Sequence, residues 1–391
     1  MRILLISPTP THPTTAGNRA RILSLVRALQ SLGHEVHMAL ATVAMPDLAA
    51  MHALLGEGRL HVLRCRESYA IRGFLPRLRR KVLRAAGIEA AYLWGLDDYY
   101  DQRLTAQIGE LCTRTAFDAA CVEYVFMSKA LEAVPAGVIK ILDTHDRFAL
   151  RHRSFLEAGQ KPQWFSTTVA EEAAGLGRAD FVLAIQDVEA RAFRNELNGT
   201  DTEVITVGHL LEVQEQVQPD TSCSAVFLAS GNPINVDAAT YFIERVQPLV
   251  RQRRPDFVLK LAGDVANAVN DGGGAVVKLG HVPAVADAFR SAAVAVNPVR
   301  MGTGLNIKML EALACGAACV SSQSGSRGLE SYRNVAFTAV PDNDPDAMAQ
   351  AVLSLLESPQ QAKQLSDRAI EVAAQWNRQQ LAALQGILAA H

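Results

Sequence analysis

Short apolar runs rich in β-branched residues alternate with helix-length amphipathic stretches, and the alternation stops once and starts again. RILLIS (2–7) predicts a buried strand, the stretch from Asn18 to Leu32 a helix closed by Gly33, and HEVHMALAT (34–42) the next strand. Further strands are predicted at 60–64, 117–122, 138–143, 180–185 and 203–208, with helical patterns between them. Residues 211–222, LEVQEQVQPDTS, are polar and contain a proline, which predicts a linker. The pattern then restarts, with strands at 224–230, 257–263, 275–280, 293–298 and 317–322. Helices are expected over 235–251 and around 306–314, and the last part, 345–391, reads as mostly helical. Such alternation implies parallel sheets with helices on both faces. The expected fold class is therefore α/β, as two doubly wound domains at 1–210 and 223–376, with the last helix, 377–391, packing back on the first. A chain of 391 residues suits two domains of about 150–200 residues each. Two such domains facing each other would form a cleft, with ligands at the C-terminal ends of the strands.

With 49% hydrophobic and 20% charged residues and a net charge of -2, the chain is neither disordered nor a dedicated nucleic-acid binder. Six cysteines without CxxC spacing argue against a zinc site and read as small buried residues of a reducing compartment. The apolar run after Met1-Arg2 is too short for a signal peptide, and no run of 18 apolar residues occurs, so a cytoplasmic protein is expected. Residues 71–85, IRGFLPRLRRKVLRA, interleave six basic residues (Arg72, Arg77, Arg79, Arg80, Lys81, Arg84) with apolar ones. From Pro76 onward they can form a helix with one basic and one apolar side, suited either to a membrane surface or to packing on its own domain.

The densest segment is 297–330, NPVRMGTGLNIKMLEALACGAACVSSQSGSRGLE. A strand is expected to end at Asn297-Pro298, and Gly302-Thr303-Gly304 to open a helix. Free N–H groups and the positive dipole end at such a start suit a diphosphate, to which Arg300 and Lys308 could add charge. Glu311 follows Gly304 by seven residues, about two turns on, where a carboxylate can accept hydrogen bonds from a ribose diol. Taken alone, the same spacing also describes a tight strand-to-helix turn with a surface glutamate.

The string PxRxGTGxxxKxLEAxAxGxxxV, followed by SGxxG, resembles the donor-nucleotide segment of GT-B glycosyltransferases, two Rossmann-like domains facing across a cleft. It is most similar to the retaining family 4 group (glycosyl transferases group 1) of bacterial polysaccharide and glycolipid synthesis. Weaker matches are the first loop ending in AGN, GHEV after the first helix, and SGNPINVDAATYF opening the second half. The resemblance implies transfer of a sugar from a nucleotide-diphosphate sugar to a hydroxyl of a glycan or glycolipid acceptor, with retention, without metal and without a cofactor. It places Glu311 on the second glutamate of the family's Glu-x7-Glu motif, the one that binds the nucleotide ribose. The first glutamate falls on Thr303, which can hydrogen-bond to the sugar but carries no charge. Where the family has Arg and Lys at the start of the second domain, this chain has Asn232 and Asn235, so Arg300 and Lys308 become the phosphate candidates.

Asp143-Thr144-His145-Asp146 ends a predicted strand of the first half. The resemblance puts His145 beside the donor sugar; Asp146 could orient it or hold the acceptor, and a satisfied loop histidine beside Asp146 is the structural alternative. Arg147, Arg151 and Arg153 could meet an anionic acceptor or be solvated, and Thr167, Thr168, Glu171 and Glu172 could line the acceptor side. The loop with His12, Gly17 and Asn18 lies beside the sugar and phosphates in the family, while Asn18 alone reads as a helix cap. Asp342-Asn343-Asp344 looks like a metal-binding Asp-x-Asp, but the Pro345 helix start after it favours capping and turn chemistry. A nucleotide-sugar epimerase or hydrolase of the same fold, or a non-catalytic binding subunit of a polysaccharide-assembly complex, are the other functional classes.

Overall fold

The computed structural model describes residues 1–14, 16–42, 44–65, 74–157, 159, 161–162, 165–211, 221–270, 274–302 and 304–389. The chain divides into two compact units: Met1–Thr14 and Asn18–Gly208 with the segment from Leu381 onward, and Thr15–Gly17 with His209–Gln380.

In the first unit the strands are β1 (Arg2–Ser7), β2 (Glu35–Leu40), β3 (Leu60–Val62), β4 (Ala119–Glu123), β5 (Ile139–Asp143), β6 (Phe181–Ala184) and β7 (Glu203–Thr206). They pair in the order β3-β2-β1-β4-β5-β6-β7, and every pairing is parallel. The order reverses between β1 and β4, so these two strands meet with their crossovers leading in opposite directions. Central position explains the continuous apolar run of β1, which is buried from Ile3 to Ser7. The helix Gly17–Ser31 ends as expected before Gly33, whose φ of 82° supplies the left-handed turn a side chain would resist. Phe126, Phe148 and Phe165 join Leu4, Ile6 and Tyr124 in one core.

In the second unit β8 (Ser224–Leu228), β9 (Val258–Ala262), β10 (Val276–Gly280), β11 (Val294–Asn297), β12 (Cys319–Ser322) and β13 (Thr338–Val340) pair in the order β10-β9-β8-β11-β12-β13, again all parallel. The α/β doubly wound class expected from the alternation is therefore what both units show. The single helix expected over 235–251 is broken in an instructive way: Pro233–Tyr241 and Gln247–Arg253 flank a π-helical turn at Phe242–Val246. Pro248 has no N–H and its ring crowds the carbonyl four residues back, so the turn before it widens. The helical tail is two helices, Pro345–Glu357 and Pro359–Ala389. Most of the expected linker, 212–220, lies outside the described residues.

The basic segment forms a helix at Phe74–Ala85, while 71–73 lie outside the described residues. Arg80 stacks its guanidinium 3.6 Å from the Trp94 ring centre and donates to the Leu93 carbonyl at 2.8 Å. Leu78 and Val82, one turn apart, are exposed. Among the described residues no helix is long and apolar enough to cross a membrane.

Candidate functional site

The loop leaving β11 carries two glycines in left-handed conformations, Gly302 at φ 124° and Gly304 at φ 74°. The helix runs Ile307–Ala314, as expected around 306–314, with Asn306 before it; a residue at positive φ cannot be the first of a right-handed helix, so the glycine turn precedes the helix rather than forming its first turn. Glu311 is therefore one turn into the helix, not two, and three residues after Lys308 on the same side. Thr303 lies outside the described residues.

Arg327, to which the sequence assigns no role, holds this loop. Its guanidinium donates to the carbonyls of Met301 at 3.1 Å and Gly304 at 3.4 Å, and to that of Ser324. A Cβ on Gly302 would stand 2.8 Å from Arg327 Nη2. The backbone N–H of Asn306 donates to the Arg327 carbonyl at 3.2 Å, and the Asn306 Oδ1 is buried without a hydrogen-bond partner.

Lys308 points its Nζ at Asn235 Oδ1, 2.6 Å away, and lies 5.2 Å from the Phe227 ring centre. Desolvation, and then the charge of Arg327, push the ammonium down to about 7, against the pull of Glu311. Desolvation pushes the Glu311 carboxyl up to about 7, against the pull of Lys308. Both shifts move these groups toward neutrality, and in both burial is the leading cause.

The other donor candidates have structural employment. Asn232 accepts from the Asn235 N–H at 2.9 Å and caps the helix Pro233–Tyr241. Arg300, expected to meet phosphate, instead donates to Asp237 at 2.8 Å and to Asn343 Oδ1 at 2.6 Å, with its guanidinium 4.3 Å from the Tyr241 ring centre. Asp342 accepts from the Ser324 N–H at 2.9 Å and hydroxyl at 2.6 Å, Asn343 turns the chain at φ 61°, and Asp344 caps Pro345–Glu357 through the Ala347 N–H. Turn and cap chemistry thus accounts for the Asp-x-Asp.

In the first unit the parallel register places Glu123 opposite Asp143 at the C-terminal ends of β4 and β5. Arg21, from the first helix, closes on Asp143 with hydrogen bonds of 2.5, 2.8 and 3.2 Å and reaches the Val207 carbonyl at 2.9 Å. Burial works against the Asp143 charge, but Arg21 wins and holds it below the ordinary range. His145 (φ 60°) and Tyr124 (φ 71°) are both left-handed, and their rings stack at 4.0 Å. His145 Nε2 meets Glu123 Oε2, and the Tyr124 hydroxyl accepts from Asn18 Nδ2 at 2.9 Å. Asn18 is consequently the second residue of its helix, tied to Tyr124, rather than the cap; Gly17 is the first. His12 bonds Thr11 Oγ1 at 3.0 Å, and burial followed by Arg27 lowers it below the ordinary imidazole range.

The groups expected at the acceptor are bound up locally. Asp146 pairs with Arg151 at 3.0 Å, Arg147 with Glu196, and Arg153 with Glu89 at 2.6 Å. Thr167 donates to the Trp94 carbonyl, Thr168 caps Val169–Leu176, and Glu171 accepts from the Leu96 N–H. Glu172 accepts from the N–H groups of Phe148 at 2.6 Å and Ala149 at 3.0 Å. Glu123, Asp143 and His145 each bring a ligand-type atom within 4.8 Å of the others, the one such trio among the described residues. The Arg21 guanidinium already supplies the positive charge there. Sequence reasoning missed Glu123, Tyr124 and Arg21; the available signal was a glutamate directly after the apolar run AACV and an arginine directly before Ile22 on a helix's apolar face.

Residues 223–358 match the family model described as Glycosyl transferases group 1. No curated protein matches the chain by sequence. The structure is similar to sucrose-phosphate synthase from Thermosynechococcus elongatus, with a TM-score of 0.69, 18% identity, and 100% of this chain and 98% of that one covered. It is similar to HepE from Anabaena in complex with UDP-glucose, with a TM-score of 0.65, 13% identity, and coverage of 99% and 100%. TarM from S. aureus, in complex with Fondaparinux, alpha-GlcNAc-glycerol and UDP, gives a TM-score of 0.58 at 12% identity, covering 72% of this chain but only 58% of its own length. At these identities the likeness is one of fold.

Proposed function

We propose that this chain, whose residues 223–358 match the Glycosyl transferases group 1 model, is a GT-B glycosyltransferase that moves a sugar from a nucleotide-diphosphate donor to a hydroxyl of a glycan or glycolipid, with retention of configuration and without metal. The observation that carries this reading is the Lys308–Glu311 pair one turn apart, each pushed to about 7, behind a glycine loop held by Arg327. An arriving diphosphate restores the Lys308 charge, and a ribose diol restores that of Glu311. Stabilising the departing diphosphate through Lys308, Arg327 and the helix N-terminus supplies the electrostatic part of catalysis. The commitment of Asp342 and Asp344 to Ser324 and a helix cap supports a metal-free reading of this segment. Thr303 takes the sugar contact that the family gives to a glutamate, and His145 with Asp146 and the His12–Asn18 loop serves the sugar and acceptor. Because HepE and TarM were each solved with UDP or a UDP-sugar, uridine donors come first in any trial. We place the chain at the cytoplasmic face of a membrane, with the Phe74–Ala85 helix touching anionic lipid.

The experiment is thermal stabilisation by a panel of nucleoside diphosphates and their sugars, with and without EDTA, beside Glu311→Ala. Stabilisation by one base, indifferent to EDTA and lost in the variant, supports the donor site; no shift with any member sinks it. Anomeric NMR of the product then separates transfer with retention from inversion or hydrolysis.

A further inference from the structure

Glu123 is an odd residue to bury at a strand end. It has no exposure to solvent, and it stands across the β4–β5 pair from Asp143, which takes the Arg21 guanidinium through three hydrogen bonds. Glu123 Oε2 meets His145 Nε2 and its carboxyl lies against that of Asp143, while Oε1 is buried without a hydrogen-bond partner. A residue placed only for packing would be cheaper as an apolar side chain, because an unmatched buried carboxylate oxygen costs free energy.

His145 is fixed from three sides: by Glu123 on Nε2, by the Tyr124 ring 4.0 Å from its own, and by a left-handed backbone at φ 60°. Nδ1 is the ring nitrogen that Glu123 leaves unused. We propose that Glu123 is a positioning residue for His145: it takes the Nε2 hydrogen, fixes the tautomer, and leaves Nδ1 as the acceptor for a substrate hydroxyl. This rests on the reading of His145 as a sugar contact in glycosyl transfer.

The proton balance is simple. With Glu123 ionised and the imidazole neutral, the hydrogen sits on Nε2 and Nδ1 accepts. A proton added to the imidazole puts hydrogen on Nδ1 as well and makes it a donor, whereas one added to the far carboxyl oxygen, Oε1, leaves Nδ1 bare. The charged and titratable groups around Glu123 are Asp143 on β5, Arg21 on the first helix, Cys121 two residues back on its own strand, and His145; Glu189 of the helix Asp187–Glu196 faces Arg21. Burial, and then the Asp143 charge, raise the Glu123 carboxyl above its ordinary range.

The test is ¹⁵N NMR of the histidine side chains in the full chain at alkaline pH, wild type and Glu123→Leu. In wild type we expect a hydrogen on His145 Nε2 and a bare Nδ1. In Glu123→Leu, where the acceptor is gone, the two tautomers mix, and Glu123→Gln, whose amide oxygen can still accept, keeps the wild-type pattern. With a working donor and acceptor, kcat falls by about tenfold or more in Glu123→Leu and is recovered in part in Glu123→Gln, while nucleoside-diphosphate affinity is unchanged. An unchanged tautomer or unchanged kcat in Glu123→Leu overturns the proposal. Should Glu123→Leu not fold, Glu123→Asp, which draws the carboxylate back by one methylene, is expected to mix the tautomers as well, and an unmixed spectrum overturns the proposal equally. If wild type transfers nothing from any nucleotide sugar, the transferase reading fails, and the coupling of Glu123 to His145 is still decided by the spectra.

Discussion

Lys308 Nζ donates to Asn235 Oδ1 at 2.6 Å across 73 residues of sequence, so the cation of the proposed donor segment is aimed by a residue on the helix Pro233–Tyr241 of its own unit. Removing the charge by Lys308→Met should weaken nucleoside-diphosphate binding about 10- to 100-fold, the value of one charge-assisted hydrogen bond. Asn235→Leu keeps the charge but leaves it unaimed in a desolvated place, and should cost about tenfold. Calorimetric titration with UDP checks both; affinities within twofold of wild type would remove Lys308 from the site.

Gly302 has φ 124°, and a Cβ there would stand 2.8 Å from Arg327 Nη2. Gly302→Ala should therefore strain the loop by about 1–3 kcal/mol and disturb the Arg327 clamp. The expected result is a lower Tm and a loss of nucleotide-induced stabilisation. Gly325→Ala, whose Cβ would meet the Asn297 carbonyl oxygen at 2.6 Å, should destabilise at least as much. Differential scanning calorimetry of the two variants beside wild type decides.

Arg21 and Asp143 form a fully buried ion pair. Asp143→Asn leaves the guanidinium uncompensated and should cost about 3–5 kcal/mol of stability in denaturant titration. Because Arg21 lowers the Asp143 pKa in the fold, its contribution is present above the unfolded carboxyl range and is lost as pH falls through the lower folded value.

Glu172 has the opposite sign. Burial pushes it from 4.5 up to about 8, so its carboxyl favours the folded state fully below pH 4.5, and that contribution is lost as pH rises to about 8. Glu172→Gln should flatten the stability profile across this window. It should also cost about 1 kcal/mol at acid pH, because the amide cannot accept from both the Phe148 and Ala149 N–H groups. Urea titrations at pH 5 and pH 8 give the slope; an unchanged slope refutes the assignment.

Leu78 and Val82 are exposed on the Phe74–Ala85 helix, with Lys81 between them. Sedimentation with anionic vesicles should retain the protein at low salt, and neutral vesicles should not. Leu78→Asp with Val82→Asp should lower retention about tenfold or more. Equal retention by neutral vesicles, or none by either, rules out the surface contact.

The sequence by itself determined the layers. Apolar runs of strand length, broken by helices and closed by Gly33 or capped by Asp344, are local patterns, and local patterns survive without a partner. It also marked the proposed donor segment, because Gly302, Gly304, Lys308 and Glu311 lie within ten residues of one another. Only the tertiary structure decided which polar residues are spent. Arg300, Asn232, Arg147 and Glu172 look available in the sequence, yet each is consumed by a cap, a carboxylate or a backbone N–H. Glu123 and Arg21 look ordinary there, yet strand register and one helix face bring them to Asp143 and His145 over separations of up to 122 residues. Hydrogen-bond satisfaction is a property of neighbours in space, and in a parallel sheet those neighbours come from segments that periodicity cannot pair.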